Sequence, residues 1–186
     1  YQRYDAELTL LENGEMEVRL TQLVSYDFVS KGGFFEIPRR NVSEIYDVQV
    51  FEAATAADVR AAEQTLVLAD FSVDESSESV DVEWRYPATT LGEERLFVIS
   101  YKTRGIIWSY PSADFIQFDA INADRSGLPV IEGSVTVNLP FSIDQNVMSW
   151  YATGSGYSTA LDGNTLRFDL TDDQSARLVD GIPFTV

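Results

Sequence analysis

Carboxylates carry whatever acid–base chemistry this chain has, because it holds 30 Asp and Glu but no Cys and no His. Those two absences remove thiol catalysis, disulfide staples, Cys or His zinc sites, haem ligation by His and Ser-His-Asp triads. Four carboxylate clusters stand out: Asp172-Asp173, Glu93-Glu94, Asp74-Glu75, and Asp119 with Asp124. A glycosidase needs two such groups facing each other across a groove, whereas strand-edge carboxylates of an acidic protein are ordinarily solvated. No catalytic residue is assigned on this basis, and the chain is expected to be non-enzymatic. Ser and Thr nucleophiles lack a His base. The two lysines, Lys31 and Lys102, sit in no Ser-x-x-Lys pattern. Gly154-x-Gly156 lies between strands without the helix N-terminus a phosphate cradle requires.

Two further chemistries rest on loops and rings. Asp162-x-Asn164 and Asn122-x-Asp124 are fragments of oxygen-rich calcium loops, but as hairpin-turn residues they are already explained. No metal ligand and no cofactor is assigned, and a calcium-stabilised adhesion-type module is kept as an alternative. Trp108, Tyr110, Phe115 and Phe118, followed later by Trp150-Tyr151, form the aromatic stretch able to floor a carbohydrate site. The competing reading places these rings in a core, where strand aromatics usually pack. The first four are the binding candidates, and a carbohydrate-binding or carboxylate-based hydrolase domain is the second alternative.

The elements that must position these residues are strands. Tyr4, Ala6, Leu8 and Leu10 alternate with polar residues, as do Met16, Val18, Leu20, Val24, Tyr26 and Phe28, which is the period of half-buried β-strands. A two-residue Asn13-Gly14 turn would misalign the two apolar faces. A three-residue loop, Glu12-Asn13-Gly14 with Gly14 left-handed, pairs Leu10 with Met16, Leu8 with Val18 and Ala6 with Leu20. Further strands are predicted over 34–38, 45–51, 66–73, 80–86, 96–103, 106–110, 115–121, 131–139, 147–152, 157–161, 165–170 and 182–186. Residues 80–86 and 96–103 are expected to pair as a hairpin around the loop 87–94. The Ala-rich stretch from Ala53 to Gln64 holds at most one short helix, with no apolar stripe to dock it.

Short strands at this spacing, with no alternating helices, predict an all-β fold: an antiparallel β-sandwich, immunoglobulin-like or enlarged. The 186 residues make one continuous unit, 1–186, or two tightly joined sandwiches, 1–105 and 106–186. A hydrophobic content of 45% supports a packed core. The net charge of −17 argues against nucleic-acid binding, which relies on Lys and Arg at phosphates. No run of 18 apolar residues occurs. The start at Tyr1 without Met and the close at Phe184-Thr185-Val186 suggest a segment of a longer protein whose signal peptide or anchor lies elsewhere.

Several stretches in order resemble the extracytoplasmic N-terminal domain of predicted bacterial membrane proteins known as domain of unknown function 2207. They are Tyr4-Asp5-Ala6-Glu7-Leu8-Thr9-Leu10 with Glu12-Asn13-Gly14, Gly33-Phe34-Phe35-Glu36-Ile37-Pro38-Arg39, Ile45-Tyr46-Asp47-Val48-Gln49-Val50 and Phe97-Val98-Ile99-Ser100-Tyr101-Lys102-Thr103-Arg104-Gly105. Val135-Thr136-Val137-Asn138-Leu139-Pro140 and Gly181-Ile182-Pro183-Phe184-Thr185-Val186 complete the series. The segment before Pro38-Arg39 is shorter than the family's usual spacing, and Asp114-Phe115-Ile116-Gln117-Phe118 lacks a Trp often found there. The resemblance implies a domain held at the extracytoplasmic face of the cell membrane by segments outside these residues. The chain is accordingly read as a binding or assembly module of the envelope, with an envelope protein or glycan as the expected partner. The resemblance brings no catalytic residues with it.

Overall fold

The computed structural model describes residues 1–61, 63–111, 113–121, 130–144, 148–152, 157–170 and 182–185. Strands β1 (Arg3–Leu10) and β2 (Met16–Ser25) form the first hairpin in the predicted register, with Leu10 opposite Met16, Leu8 opposite Val18 and Ala6 opposite Leu20. Leu11 and Glu15 close the loop, the Leu11 amide donating to the Glu15 carbonyl at 2.8 Å, and Gly14 sits at φ +80°. This is the three-residue loop with a left-handed glycine, which puts Leu8, Leu10, Met16, Val18 and Leu20 on one face.

Strand β2 pairs on its other side with β8 (Glu94–Arg104), and β8 pairs with β4 (Glu44–Ala53), which carries the short edge strand β5 (Leu66–Leu68). On the far side of β1 runs β11 (Glu132–Asn138), followed by β14 (Thr165–Leu170) and β13 (Tyr157–Asp162). The pairing of β1 with β11 is parallel, so this eight-stranded sheet is mixed where an antiparallel one was expected. Parallel neighbours need a long crossover, and everything between residues 11 and 131 supplies it. The possible boundary near residue 105 falls just after β8, and strands from both sides of it share this sheet.

Two smaller sheets face it. One has the order β3 (Gly32–Pro38), β7 (Ser79–Arg85), β6 (Asp70–Glu75); the other has the order β12 (Tyr151–Ala152), β15 (Ile182–Thr185), β10 (Asp114–Ile121), β9 (Ile107–Ser109). A continuous core runs between the layers, from Leu8, Leu20, Ile99 and Val135 of the large sheet to Ile37, Val82, Phe118 and Ile121 of the small ones. Alternation along each strand puts these side chains inward.

Three expectations change. The strand over 66–73 breaks at Ala69, whose amide donates to the Val50 carbonyl at 2.9 Å; β5 joins the large sheet and β6 a small one. Residues 80–86 and 96–103 do not pair, because the loop between them carries the chain from one layer to the other. The segment 53–64 forms a 3₁₀ turn at Asp58–Arg60 that does dock, through buried Val59, onto Leu23, Leu96 and Val98 on the opposite face of the large sheet. A single apolar residue suffices there because β8 buries both faces over its first half.

Candidate functional site

Strand β9 is the edge of its sheet, and on the β9–β10 ribbon Phe115 lies directly opposite Trp108. Tyr110, two residues beyond Trp108, shares that face, and its ring meets Phe115 edge-on at 5.5 Å. All three are exposed, by 44% for Trp108, 55% for Tyr110 and 39% for Phe115. Phe118 lies on the opposite face, buried in the core. The four candidates therefore divide into an aromatic platform of three and one core residue. The odd spacing between Phe115 and Phe118 produces the division. Trp150 packs partly buried against the core.

Three carboxylates of the described clusters are engaged, Glu75, Glu93 and Glu94. Glu93 accepts the Thr90 amide at 2.8 Å and pairs with Arg95, and these contacts, the Thr90 bond first, hold its carboxyl below the usual range. Glu94 pairs with Arg60, which lowers it likewise. Glu75 meets Arg39 at 2.6 Å. Asp74 lies opposite Asp81, which lies opposite Glu36, a row of carboxylates across the three-stranded sheet. Asn164 donates its amide to the Leu139 carbonyl at 2.6 Å, so it serves the turn it was expected to form. Among the described residues no group of three or more Asp or Glu is placed to hold a metal ion. Asp172-Asp173, Asn122 with Asp124, and Gly154-x-Gly156 lie outside the described residues.

A second feature escaped the sequence reading. Between the large sheet and the three-stranded sheet opens a cleft of about 430 Å³, walled by Gln22 of β2, Trp84 of β7, Phe97 of β8, and Tyr26 and Tyr86. Trp84 and Phe97 rings meet at 5.3 Å, and Phe97 stacks on Tyr86 at 5.3 Å. Tyr86 donates its hydroxyl hydrogen to the Gly32 carbonyl at 2.7 Å, so the 2.7 Å contact between Tyr26 and Tyr86 has Tyr26 as donor. Burial, and then the bond to Tyr86, push the Tyr26 hydroxyl far above its ordinary value. The legible signal was Gln22: it occupies an inward position in the stripe Met16, Val18, Leu20, where an apolar residue belongs.

Two facing β-layers, a mixed eight-stranded sheet and two small sheets, define the class as an all-β sandwich domain. Within that class the chain belongs to the family described as predicted membrane protein (DUF2207) N-terminal domain, whose profile matches residues 1–179. It is thus the N-terminal domain of a membrane-associated protein. Comparison with proteins of curated function finds no match. Among solved structures the chain is similar to a proposed protease from Parabacteroides distasonis, at 14% identity and a TM-score of 0.56, covering 100% of this chain and 39% of that one. It is also similar to leukotriene A4 hydrolase from Saccharomyces cerevisiae, at 12% identity and a TM-score of 0.55, covering 98% of this chain and 28% of that one. A variant of an M1 zinc metallopeptidase from Deinococcus radiodurans gives 13% identity and a TM-score of 0.53, over 99% of this chain and 41% of that one. The chain spans less than half of each, and at these identities the likeness concerns the fold. Among the described residues no helix is long and apolar enough to cross a membrane.

Proposed function

We propose that this domain is a non-enzymatic binding or assembly module, acting as one unit, on the extracytoplasmic side of a membrane-anchored envelope protein. Its partner is a protein or glycan of the envelope. The observation that carries the reading is the platform of Trp108, Tyr110 and Phe115, exposed together on an edge ribbon. Large rings left in water on one face cost burial energy that a partner recovers, and Trp and Tyr dominate contact energetics where such patches are used. The non-enzymatic part is supported by the carboxylates: Glu75, Glu93 and Glu94 are spent on cations, and His is absent as a base.

The double variant Trp108→Ala, Tyr110→Ala removes the platform while leaving the core untouched. Retention of the wild-type domain on an envelope fraction or on purified cell-wall glycan, with at least a tenfold loss for this variant and an unchanged melting temperature, is the expected result. Equal retention of both proteins, or no retention of either, would overturn the proposal.

A further inference from the structure

The hydrogen bonding of the β9–β10 ribbon shows which backbone groups its outer strand offers to a partner. The Tyr110 amide donates to the Ala113 carbonyl at 3.0 Å, which makes Tyr110 and Ala113 a hydrogen-bonded pair. Antiparallel ladders alternate such pairs with pairs whose N–H and C=O point away from each other. Along the register, Trp108 therefore bonds to Phe115, whereas Ser109, opposite Asp114, and Ile107, opposite Ile116, turn their N–H and C=O outward. Strand β9 ends its sheet, and every residue from Ile107 to Tyr110 is exposed. Among the described residues nothing bonds to the outward groups of Ile107 and Ser109.

Open edges are ordinarily guarded against such pairing, and both edges of the three-stranded sheet are. β6 carries Asp70, Asp74 and Glu75. β3 ends in Pro38, and its Gly32 carbonyl is already taken by Tyr86 at 2.7 Å and Ser30 at 3.0 Å. β9 holds neither a charge nor a Pro; its short length is its one guard. It also carries Trp108 at its centre, on the face where Phe115 and Tyr110 meet. A strand laid along β9 would bond to Ile107 and Ser109 while setting the side chain opposite Trp108 against the rings. A glycan has no amide donors and carbonyl acceptors at the strand repeat.

Charge narrows the strand further. Residues 106–121 hold Asp114 and Asp119 but no Lys or Arg, and the net charge of −17 opposes pairing with a second copy of the chain. Neighbours of the side chain that meets Trp108 fall on the other face, beside Ser109 and Asp114, where Lys or Arg is favoured. We propose that β9 takes up an extended segment of a partner protein by strand addition. The segment alternates apolar and basic residues, and one apolar side chain lies on Trp108, Tyr110 and Phe115. This inference rests on the platform reading above and selects protein over glycan as its partner.

The probe is the acetylated peptide amide Lys-Val-Lys-Phe-Lys-Val-Lys, titrated into the domain beside the same peptide with its three central backbone nitrogens methylated. Saturable binding, at least tenfold tighter than that of the methylated peptide, is expected. At saturation the amide hydrogens of Ile107 and Ser109 should exchange at least tenfold more slowly, while that of Trp108, already bonded within the ribbon, keeps its rate. Ser109→Pro removes an outward donor and no bond of the ribbon, at a place where an edge strand accepts Pro. It should weaken binding at least tenfold with an unchanged melting temperature, whereas Ser109→Ala, which keeps the N–H, should bind as the wild type does. No binding, equal binding of the methylated peptide, unchanged exchange at Ile107 and Ser109, or a self-association that Ser109→Pro dissolves overturns the proposal. Envelope retention that the Trp108→Ala, Tyr110→Ala variant loses and Ser109→Pro keeps also overturns it, and leaves the platform reading standing with a glycan as partner. Equal retention of all these proteins overturns both.

Discussion

The indole of Trp84 lies across Gly33, its partner on the neighbouring strand, so closely that a Cβ on Gly33 would overlap the ring carbons Cζ2 and Cε2. Glycine is required here by the space its side chain lacks, and in return the strand gains an aromatic cover. Gly33→Ala should cost about 1–3 kcal/mol by overpacking. A urea midpoint that does not move, with unchanged Trp84 fluorescence, would show that the indole does not need this position.

Gly14 is required for the opposite reason. A Cβ there would meet only Ile107 Cδ1, at 3.6 Å, but the backbone sits at φ +80°. Gly14→Ala is expected to cost about 1 kcal/mol from the left-handed conformation alone, and Gly14→Asn less, since Asn tolerates that region better. Chemical denaturation of both variants checks the ranking.

Arg104 ties the first hairpin to β4, donating from Nε to Glu15 at 2.6 Å and from Nη1 to Glu44 at 2.9 Å while lying over the Tyr46 ring. The bond to Arg104 is the leading cause that holds the Glu15 carboxyl below its ordinary value. A depressed folded-state value means the unfolded chain binds the proton first. This contribution is therefore present above the ordinary carboxylate range, about pH 4.5, and is lost as the pH falls through the folded value. Glu93, Glu94 and Asp58 shift the same way. Stability should fall below about pH 4.5, and Glu15→Gln should flatten that fall; an unaltered acid profile would deny Glu15 this role.

The buried Tyr26 and Tyr101 hydroxyls are raised, chiefly by burial, which puts the opposite sign at high pH. Their contribution is complete below about pH 10, the unfolded value, and is lost as the pH rises above it. Tyr26→Phe is expected to lower stability by about 1 kcal/mol at neutral pH, through the lost bond to Tyr86, and to lessen the alkaline fall. Fluorescence-monitored unfolding between pH 8 and pH 11 measures both effects.

Asp74 stands directly opposite Asp81 on adjacent strands. Like charges in that position destabilise a sheet, so Asp74→Thr should raise stability by about 0.2–1 kcal/mol, most visibly at low salt. A lower denaturation midpoint would contradict it.

Much of the first hairpin was legible because its determinants are local. Alternation sets which residues face inward, and only one loop length aligns Leu8 with Val18. The Trp108, Tyr110 and Phe115 platform was half legible: their types and spacing place them together on a ribbon, but whether that face meets a core or water depends on what packs against it. The Gln22 and Trp84 cleft stayed hidden because its walls come from three strands distant in sequence. The hairpin expected between 80–86 and 96–103 failed for a related reason. Two adjacent apolar strands separated by a loop are compatible with pairing or with crossing between layers, and only the competing partners of each strand decide.

Composition and period alone determined that this protein is all-β, acidic, and without Cys or His chemistry, since those properties reside in residue types and in near-neighbour spacing. The ordered strand motifs were enough to place it in its family. Tertiary structure decided the parallel seating of β1 against β11, the break at Ala69 that sends β5 and β6 to different sheets, and the cleft that Gln22 and Trp84 both line. Each of these depends on contacts between residues far apart in the chain, whose energies no local pattern records.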